Sequence, residues 1–132
     1  MWPFTRARTT GQRGERLAAR LLRRKGCKVL ARNYRCPPGE ADIVVLDPST
    51  RADSGRETIA FVEVKTRSSA SGALPESAVD RRKQAKLIRV ARYYLAHHGA
   101  VDYPIRFDVI AVLLGPEGKP QLRHIVNAFE PR

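Results

Sequence analysis

The chain has 132 residues, of which 42% are hydrophobic and 29% are charged, and its formal net charge is +12. These values suit one soluble globular domain and exclude wholesale disorder, while the excess of positive charge favours a polyanionic partner, nucleic acid before a membrane surface. The sequence lacks both an apolar run of the roughly 20 residues that span a membrane and a secretory signal, so we expect a cytoplasmic protein without a membrane partner.

The first half of the chain predicts a tail, a helix and three strands. Residues 1–12 mix Pro, Thr, Gly and Arg without periodicity, which indicates a flexible basic tail. Apolar residues at helical spacing predict a helix over 13–25, and Gly26 is typical of the position after a helix. The segment 48–57, rich in Ser, Asp, Gly and Arg, predicts a hairpin loop. The three strands are predicted over 27–34, 40–47 and 58–65.

The second half of the chain predicts a loop, a long helix and two strands. Small polar residues at 66–75 indicate the loop, and the helix is predicted over 76–97 with one apolar face. The strands are predicted over 105–114 and 121–126. The order α-β-β-β-α-β-β predicts an α/β fold in which a mixed sheet of about five strands carries a helix on each face. Residues 13–132 would form a single domain.

Charged residues are distributed unevenly along the chain. Residues 1–36 contain 11 basic residues and one acid, whereas residues 37–64 contain six acids and two basic residues. Residues 81–92 add six more basic residues and no acid. An acidic cluster therefore lies inside a basic frame, an arrangement that a plain electrostatic binder of nucleic acid does not require.

Charged side chains interrupt two of the predicted strands where apolar residues are expected. Glu40 and Asp42 are two residues apart and therefore point to one face of the second strand. Glu63 and Lys65 share one face of the third strand in the same way. If these strands pair as a hairpin, Asp42 and Glu63 come close enough to share a cation, with Lys65 beside them. Two carboxylates supply the oxygen ligands that Mg²⁺ prefers, and an ammonium can orient water or stabilise charge on a phosphate.

A simpler interpretation of the same residues is an ion pair between an acid and Lys65 at the end of the hairpin. For an isolated Glu-x-Lys in a strand, this interpretation is the commoner one. The upstream segment Gly-Glu-Ala-Asp-Ile at 39–43 and the basic surroundings favour the cation site here.

Several other residues are expected to serve the structure. Asp108 lies in an apolar strand near Arg106, which predicts an internal ion pair or a cap. Tyr94 has helical spacing with the apolar face of the long helix and is expected in the core. Cys27 and Cys36 are too few for a disulfide scaffold or a structural zinc site, so we expect both to be reduced and structural.

The segments Gly-Glu-x-Asp at 39–42 and Phe-Val-Glu-Val-Lys-x-Arg at 61–67 resemble the core of the PD-(D/E)xK nucleases. The nearest group is the small bacterial YraN-like group, itself similar to the archaeal Holliday-junction resolvases. The resemblance covers almost the whole chain and implies a restriction-endonuclease-like core. The literal Pro-Asp of the motif is matched only loosely, because Gly39 precedes Glu40. Further matching segments lie at 14–18, 33–35 and 106–109, with Lys83 in the long helix.

The resemblance implies roles for individual residues of the site. Asp42 matches the first metal-binding acid, Glu63 matches the second, and Lys65 matches the lysine that assists attack. Val64 would lend its backbone carbonyl to a Mg²⁺ ion, for which Mn²⁺ is the expected substitute. Glu15 matches an acid of the first helix that contacts the metal or its water. The alternative for Glu15, a partly buried acid paired to an arginine, stays open.

Five basic residues are expected to contact the nucleic acid. The arginines of the first helix are most simply a solvated face, but the net charge favours contacts to DNA phosphate that carry no sequence information. Lys83 leads the apolar face of the long helix, where a lysine stem can lie along the surface without a function. The resemblance instead favours a contact of Lys83 to the site or to phosphate. The candidate set is Arg16, Arg20, Arg35, Arg67 and Lys83.

The expected function is Mg²⁺-dependent hydrolysis of phosphodiester bonds in DNA. Cutting would be structure-specific or nonspecific, since the chain has no room for a specificity domain. The similarity to resolvases implies a homodimer that places two sites on branched DNA. The alternative is a nuclease-fold module that binds nucleic acid without cutting it, or a nuclease subunit that depends on a partner. A basic RNA- or ribosome-associated protein would explain the charge but not the polar groups on two strands.

Overall fold

The computed structural model describes residues 9–67, 79–115 and 119–131. Its elements are α1 (Thr10–Arg24), β1 (Lys28–Cys36), β2 (Gly39–Asp47), α2 (Arg51–Ser54), β3 (Thr58–Arg67), α3 (Arg81–His97), β4 (Ile105–Leu113) and β5 (Gln121–Phe129). The helix α2 is a single turn and follows a 3₁₀ turn over Pro48–Thr50. No helix in the described ranges is long and apolar enough to cross a membrane.

The five strands form one mixed sheet in the order β1-β2-β3-β4-β5. β3 and β4 are parallel, and the other three neighbouring pairs are antiparallel. A parallel pair needs a crossover connection, and here that connection contains α3. The structure therefore confirms the predicted α/β architecture with a five-stranded mixed sheet.

One long helix covers each face of the sheet, as predicted. Phe61 and Val62 are neighbours in β3 and point to opposite faces, so they mark the two cores. The core under α1 includes Ala18, Leu22, Ile43, Val62 and Ile110. The core under α3 includes Phe61, Leu87, Val90, Tyr94 and Phe107, which confirms the predicted burial of Tyr94.

Capping explains where α1 begins. The helix starts at Thr10, before the predicted start at residue 13, because Thr9 and Gln12 form a reciprocal capping box. Gly26 follows the helix with φ of 91°, which confirms its predicted place after the helix end. Of the predicted tail, residues 1–8 lie outside the described residues.

The start of α3 also differs from the prediction. The helix begins at Arg81 and not at residue 76, because the Asp80 side chain accepts a hydrogen bond from the Lys83 backbone N–H at 2.9 Å. Residues 68–78, which include most of the predicted loop, lie outside the described residues.

The predicted loop at 48–57 contains helical turns. The Asp47 carboxylate accepts hydrogen bonds from the backbone N–H and the hydroxyl of Ser49, at 2.9 and 2.7 Å. α2 then ends at Gly55, whose φ of 82° is readily adopted by glycine. β3 and β5 are longer than predicted because both pair with β4 along its length.

Asp108 is fully buried and forms the internal ion pair that the sequence predicts. Arg106 donates to both of its carboxylate oxygens, at 2.9 and 3.0 Å, and also contacts Asp47 at 3.0 Å. The Asn127 backbone N–H and His124 Nε2 each lie 2.9 Å from an Asp108 oxygen. Burial alone would raise the pKa of Asp108, but these hydrogen bonds lower it below its ordinary value.

Gly14 allows α1 to lie against β3, and its replacement is expected to destabilise the protein. A Cβ at Gly14 would overlap Thr66 Oγ1 and lie 3.0 Å from Thr66 Cβ. Thr66 is β-branched and held in a strand, so the helix would have to shift. We expect Gly14→Ala to lower the free energy of unfolding by about 1–3 kcal/mol in a denaturant titration.

Gly11→Ala is the matched control for this close contact. It lies in the same helix, and a Cβ there meets no atom within 4 Å. Alanine is the better helix former, so the control is expected to raise stability by about 0.5–1 kcal/mol. Equal stabilisation by both substitutions would contradict the contact between Gly14 and Thr66.

Candidate active site

The backbone pairing of β2 with β3 stops just before Asp42. Its last paired residues on this side are Ile43 and Val62. Beyond them, the Asp42 carboxylate accepts a hydrogen bond from the Val64 backbone N–H at 2.8 Å. Asp42 and Glu63 therefore occupy the next position of the antiparallel register, which confirms the hairpin on which the predicted site depends.

Glu63 is the centre of a small ion cluster. Its Oε2 atom lies 2.8 Å from Lys83 Nζ and 3.6 Å from Lys65 Nζ. Lys65 belongs to the same strand, whereas Lys83 comes from α3, so the tertiary fold joins them. An ion pair between Glu63 and Lys65 is therefore present, as the simpler interpretation predicts, but the carboxylate of Asp42 lies beside it.

The Asp42 carboxyl resists ionisation. Burial, followed by the negative charge of Glu63, raises its pKa from 3.8 to about 7. The charge of Glu15 acts in the same direction, while the Val64 hydrogen bond and the Lys83 ammonium oppose it. The fold thus holds two carboxylates close together in a place where one of them is poorly solvated.

The pKa values of the two lysines of the cluster shift in opposite directions. The adjacent Lys83 ammonium, together with burial, lowers the pKa of Lys65. Burial would also lower the pKa of Lys83, but its hydrogen bond to Glu63 raises it above the ordinary value. Lys65 is therefore the lysine of this pair that gives up a proton more readily.

Asp42, Glu63 and Lys83 line a cleft of about 320 Å³ between the sheet and α3. Gly39 has φ of 154°, and a Cβ there would lie 3.0 Å from the Lys86 side chain. Glycine therefore permits both this backbone conformation and the close passage of the lysine stem. The cleft is lined by Gly39, Glu40, Asp42, Glu63, Lys83, Lys86 and Leu87.

Glu15 lies on α1 within electrostatic reach of the cleft. It is half-buried, and its charge raises the pKa of Asp42. It lines a separate cavity of about 370 Å³ with Gln12, Arg32 and Asn33. Glu15 makes no ion pair with an arginine in the part of the chain that the structure describes.

The five basic residues expected at the nucleic acid lie on different surfaces. Lys83 lines the cleft. Arg16 and Arg20 are exposed on α1, which covers the opposite face of the sheet from α3. Arg35 and Arg67 are exposed near the ends of β1 and β3. The structure thus brings Lys83 to the acids and leaves the α1 arginines apart from them.

Lys86 is a cleft residue that the sequence analysis did not single out. It lies three residues after Lys83, so the two side chains share one side of α3. That spacing was the available signal, but a lysine on an exposed helix surface has the same pattern when it is merely solvated. Only the packing of α3 over Gly39 and Glu40 shows that Lys86 lines the cleft and is not merely a solvated lysine.

The donor set of the cleft is limited to oxygen ligands. Among the described residues, no three His, Cys, Asp or Glu side chains lie close enough together to hold a metal by themselves. Asp42 and Glu63 supply two carboxylates, and a cation bound there would take its other ligands from backbone oxygen, water or substrate. Such a set suits a hard divalent cation that retains several waters.

Comparison with known proteins assigns the chain to a family. The sequence model described as "Uncharacterised protein family UPF0102" matches residues 14–112. A UPF0102 protein of Caldanaerobacter subterraneus subsp. tengcongensis is 41% identical over 124 residues, 92% of this chain and 95% of the relative. The chain belongs to the UPF0102 family.

Other UPF0102 proteins match over similar lengths. A relative from Moorella thermoacetica is 49% identical over 107 residues, which cover 81% of this chain and 82% of the relative. A relative from Pelobacter propionicus is 43% identical over 123 residues, which cover 93% of this chain and 84% of the relative. The UPF0102 match contains every residue of the cleft, together with Glu15. Membership confirms the predicted YraN-like family, and the family description names no activity.

Proposed function

We propose that this UPF0102 protein is a metal-dependent endonuclease that hydrolyses phosphodiester bonds in DNA. The observation that carries the proposal is the pair of carboxylates, Asp42 and Glu63, at adjacent positions of two strands with Lys65 beside them. Burial and repulsion raise the pKa of Asp42, so the fold maintains a crowding of negative charge that a bound cation would relieve. Strongly perturbed carboxyls in a cleft are typical of functional sites.

Asp42 and Glu63 would hold Mg²⁺ or Mn²⁺, and the Val64 carbonyl would supply a further oxygen. Two carboxylates and a carbonyl match the donors that Mg²⁺ prefers and leave room for water and phosphate. When bound, the cation supplies Lewis-acid activation of the phosphate and of water. The Val64 N–H already orients the Asp42 carboxylate, which reduces the freedom lost on binding a cation.

The neighbouring residues would act on the nucleophile and on the phosphate. Lys65 would orient the attacking water or stabilise the negative charge that develops on the phosphate, and its lowered pKa suits an exchange of protons. Lys83 would contact a phosphate oxygen from the α3 side of Glu63. Glu15 would act on a water molecule at the edge of the site.

The proposed substrate is DNA cut without base-specific recognition. A net charge of +12 attracts phosphate but carries no sequence information. The fold would be a restriction-endonuclease-like core, with α1 and α3 on opposite faces of the mixed sheet. Branched DNA is one candidate substrate, since the similarity to resolvases implies a cytoplasmic homodimer that would place two clefts on one junction.

A cleavage assay tests the proposal directly. Linear, flapped and four-way-junction DNA are incubated with the full chain and Mg²⁺ or Mn²⁺, and products are resolved on denaturing gels. Lys65→Ala is expected to lower the cleavage rate about 100-fold or more, because it removes the ammonium beside the acids. Lys28→Ala, an exposed lysine opposite Leu46 in the sheet and remote from the cleft, is expected to cleave like the wild type.

Two outcomes contradict different parts of the proposal. Cleavage that depends on metal but survives Lys65→Ala would contradict the role given to Lys65. No cleavage of any substrate, with salt-sensitive DNA binding retained in both variants, would contradict an autonomous nuclease. That second result would favour a module that binds nucleic acid without cutting it, or a subunit that needs a partner.

A further inference from the structure

The exposed side of α3 carries a continuous band of positive charge. Between Arg81 and Arg92 the helix contains six basic residues and no acid. Asp80, which precedes the helix, is engaged in capping the Lys83 backbone N–H. The basic residues are Arg81, Arg82, Lys83, Lys86, Arg89 and Arg92.

Helical geometry places this band relative to the core. At 3.6 residues per turn, Arg82, Lys86 and Arg89 share the side of α3 that lies opposite the buried Leu87 and Ala91. Arg82 and Arg89 therefore lie on the outer surface of the helix, while Lys83 and Lys86 reach the sheet beside Glu63 and Gly39.

The band is continuous with the cleft at one edge. Lys83 and Lys86 line the cleft with the acids. At the other edge, Arg81, Arg89 and Arg92 line a recess of about 260 Å³, to which Glu130 from the end of the chain adds one acid. Positive charge thus runs from the carboxylates across the helix to its far side, without an interruption by an acid of α3.

Most of these cations lack protein partners. Lys83 is bonded to Glu63, but the other five side chains make no hydrogen bond or ion pair with any residue of the described ranges. A helix that concentrates unpaired charge of one sign is destabilised by repulsion between its own side chains. An external polyanion would relieve that repulsion.

The basic face of α1 has a different position. Arg16 and Arg20 are also exposed, but α1 packs on the sheet face opposite α3, whereas the cleft lies on the α3 side. α3 contributes residues to the lining of the cleft, and α1 contributes none. The two helices therefore offer surfaces of similar charge and different geometry.

We propose that the outer face of α3 binds the phosphate backbone of the DNA arm that leads into the cleft, and that the α1 arginines contribute little to this binding. The inference rests on the proposed function and assigns its substrate to one surface. From Arg82 to Arg92 the helix rises about 15 Å, which corresponds to about four base-pair steps along a duplex. The contact is electrostatic, and it orients the strand without reading its sequence.

Paired substitutions separate the two surfaces. Two double variants are compared, Arg82→Gln/Arg89→Gln in α3 and Arg16→Gln/Arg20→Gln in α1. Each removes two exposed positive charges from one helix, so the two variants have the same net charge as each other. Binding of a fluorescent duplex is measured by anisotropy in EDTA, so that no cleavage occurs, between about 50 and about 200 mM salt. Circular dichroism and thermal melts establish that both variants are folded.

The α3 variant is expected to bind about ten- to hundredfold more weakly, with a salt slope smaller by about two. The α1 variant is expected to stay within about threefold of the wild type, since its charges act only at a distance. Equal losses in the two variants, or a larger loss in the α1 variant, would overturn the α3 assignment and leave the proposed function intact. Wild-type protein that fails to bind DNA would overturn both.

Discussion

Asp42→Asn is expected to abolish metal-dependent cleavage and, at the same time, to stabilise the protein in EDTA at neutral pH. The substitution removes one of the two carboxylates proposed to hold the cation, so we expect cleavage to fall about 1000-fold or more. The asparagine carbonyl can still accept the Val64 N–H, so the local structure is retained. The stabilisation arises because the ionised carboxyl is buried beside Glu63 in the wild type.

The sign of the pH dependence follows from proton binding. The Asp42 carboxyl has an ordinary pKa of 3.8, and the fold raises that pKa to about 7. A raised pKa contributes stability that is fully present below about pH 4 and is lost as the pH rises through 7. The shift corresponds to at most about 4 kcal/mol. Asp42→Asn does not titrate, so its advantage over the wild type should appear only towards neutral pH.

Urea titrations in EDTA at about pH 4 and about pH 8 measure this difference. The wild type should lose stability between the two values relative to Asp42→Asn. Asp53→Asn, an exposed residue of α2, is the control and should follow the wild type. An Asp42 variant that is less stable than the wild type at pH 8 would contradict the charge crowding at Asp42.

Asp108→Ala is expected to give the largest loss of stability. The wild-type carboxylate is fully buried and joins three partners from β4 and β5. Its removal would leave the Arg106 guanidinium partly buried with Asp47 alone and the Asn127 N–H without an acceptor. Breaking a buried pair in this way costs about 3–5 kcal/mol. The midpoint of thermal unfolding should fall by about 10 °C or more.

A milder variant keeps the prediction testable if Asp108→Ala does not fold. Asp108→Asn retains the shape and one acceptor, so it should fold and lose less stability. Asp102→Asn, on an exposed turn, is the control and should change the melting midpoint little. If Asp108→Ala were as stable as the control, the contacts of Asp108 with β4 and β5 would not stabilise the fold.

Asp42 and Asp108 are expected to make stability depend on pH in opposite directions. The hydrogen bonds of Asp108 lower its pKa despite burial, so its contribution is present above about pH 4 and is lost as the pH falls below its folded pKa. Asp42 destabilises the protein as the pH rises towards 7. Without metal, the wild type should therefore be most stable at mildly acidic pH, and Asp42→Asn should keep that stability up to neutral pH.

Local sequence patterns determined the element types and the candidate acids. Apolar residues at spacings of two or three to four indicate strands and helices because these spacings depend on near neighbours alone. Asp42, Glu63 and Lys65 were recognisable because charged residues seldom interrupt a buried strand. Asp108 was recognisable for the same reason, and the burial of Tyr94 followed from its helical spacing. Helix starts were less accurate, since they depend on individual capping bonds such as those of Thr9 and Asp80.

The tertiary structure decided how these residues are brought together. The contact of Lys83 with Glu63 depends on the crossover of α3, and the partners of Asp108 depend on the pairing of β5 with β4. Neither is encoded at a fixed sequence spacing. The same holds for the basic faces: both α1 and α3 are rich in basic residues, and only the crossover places α3 on the sheet face where the cleft opens.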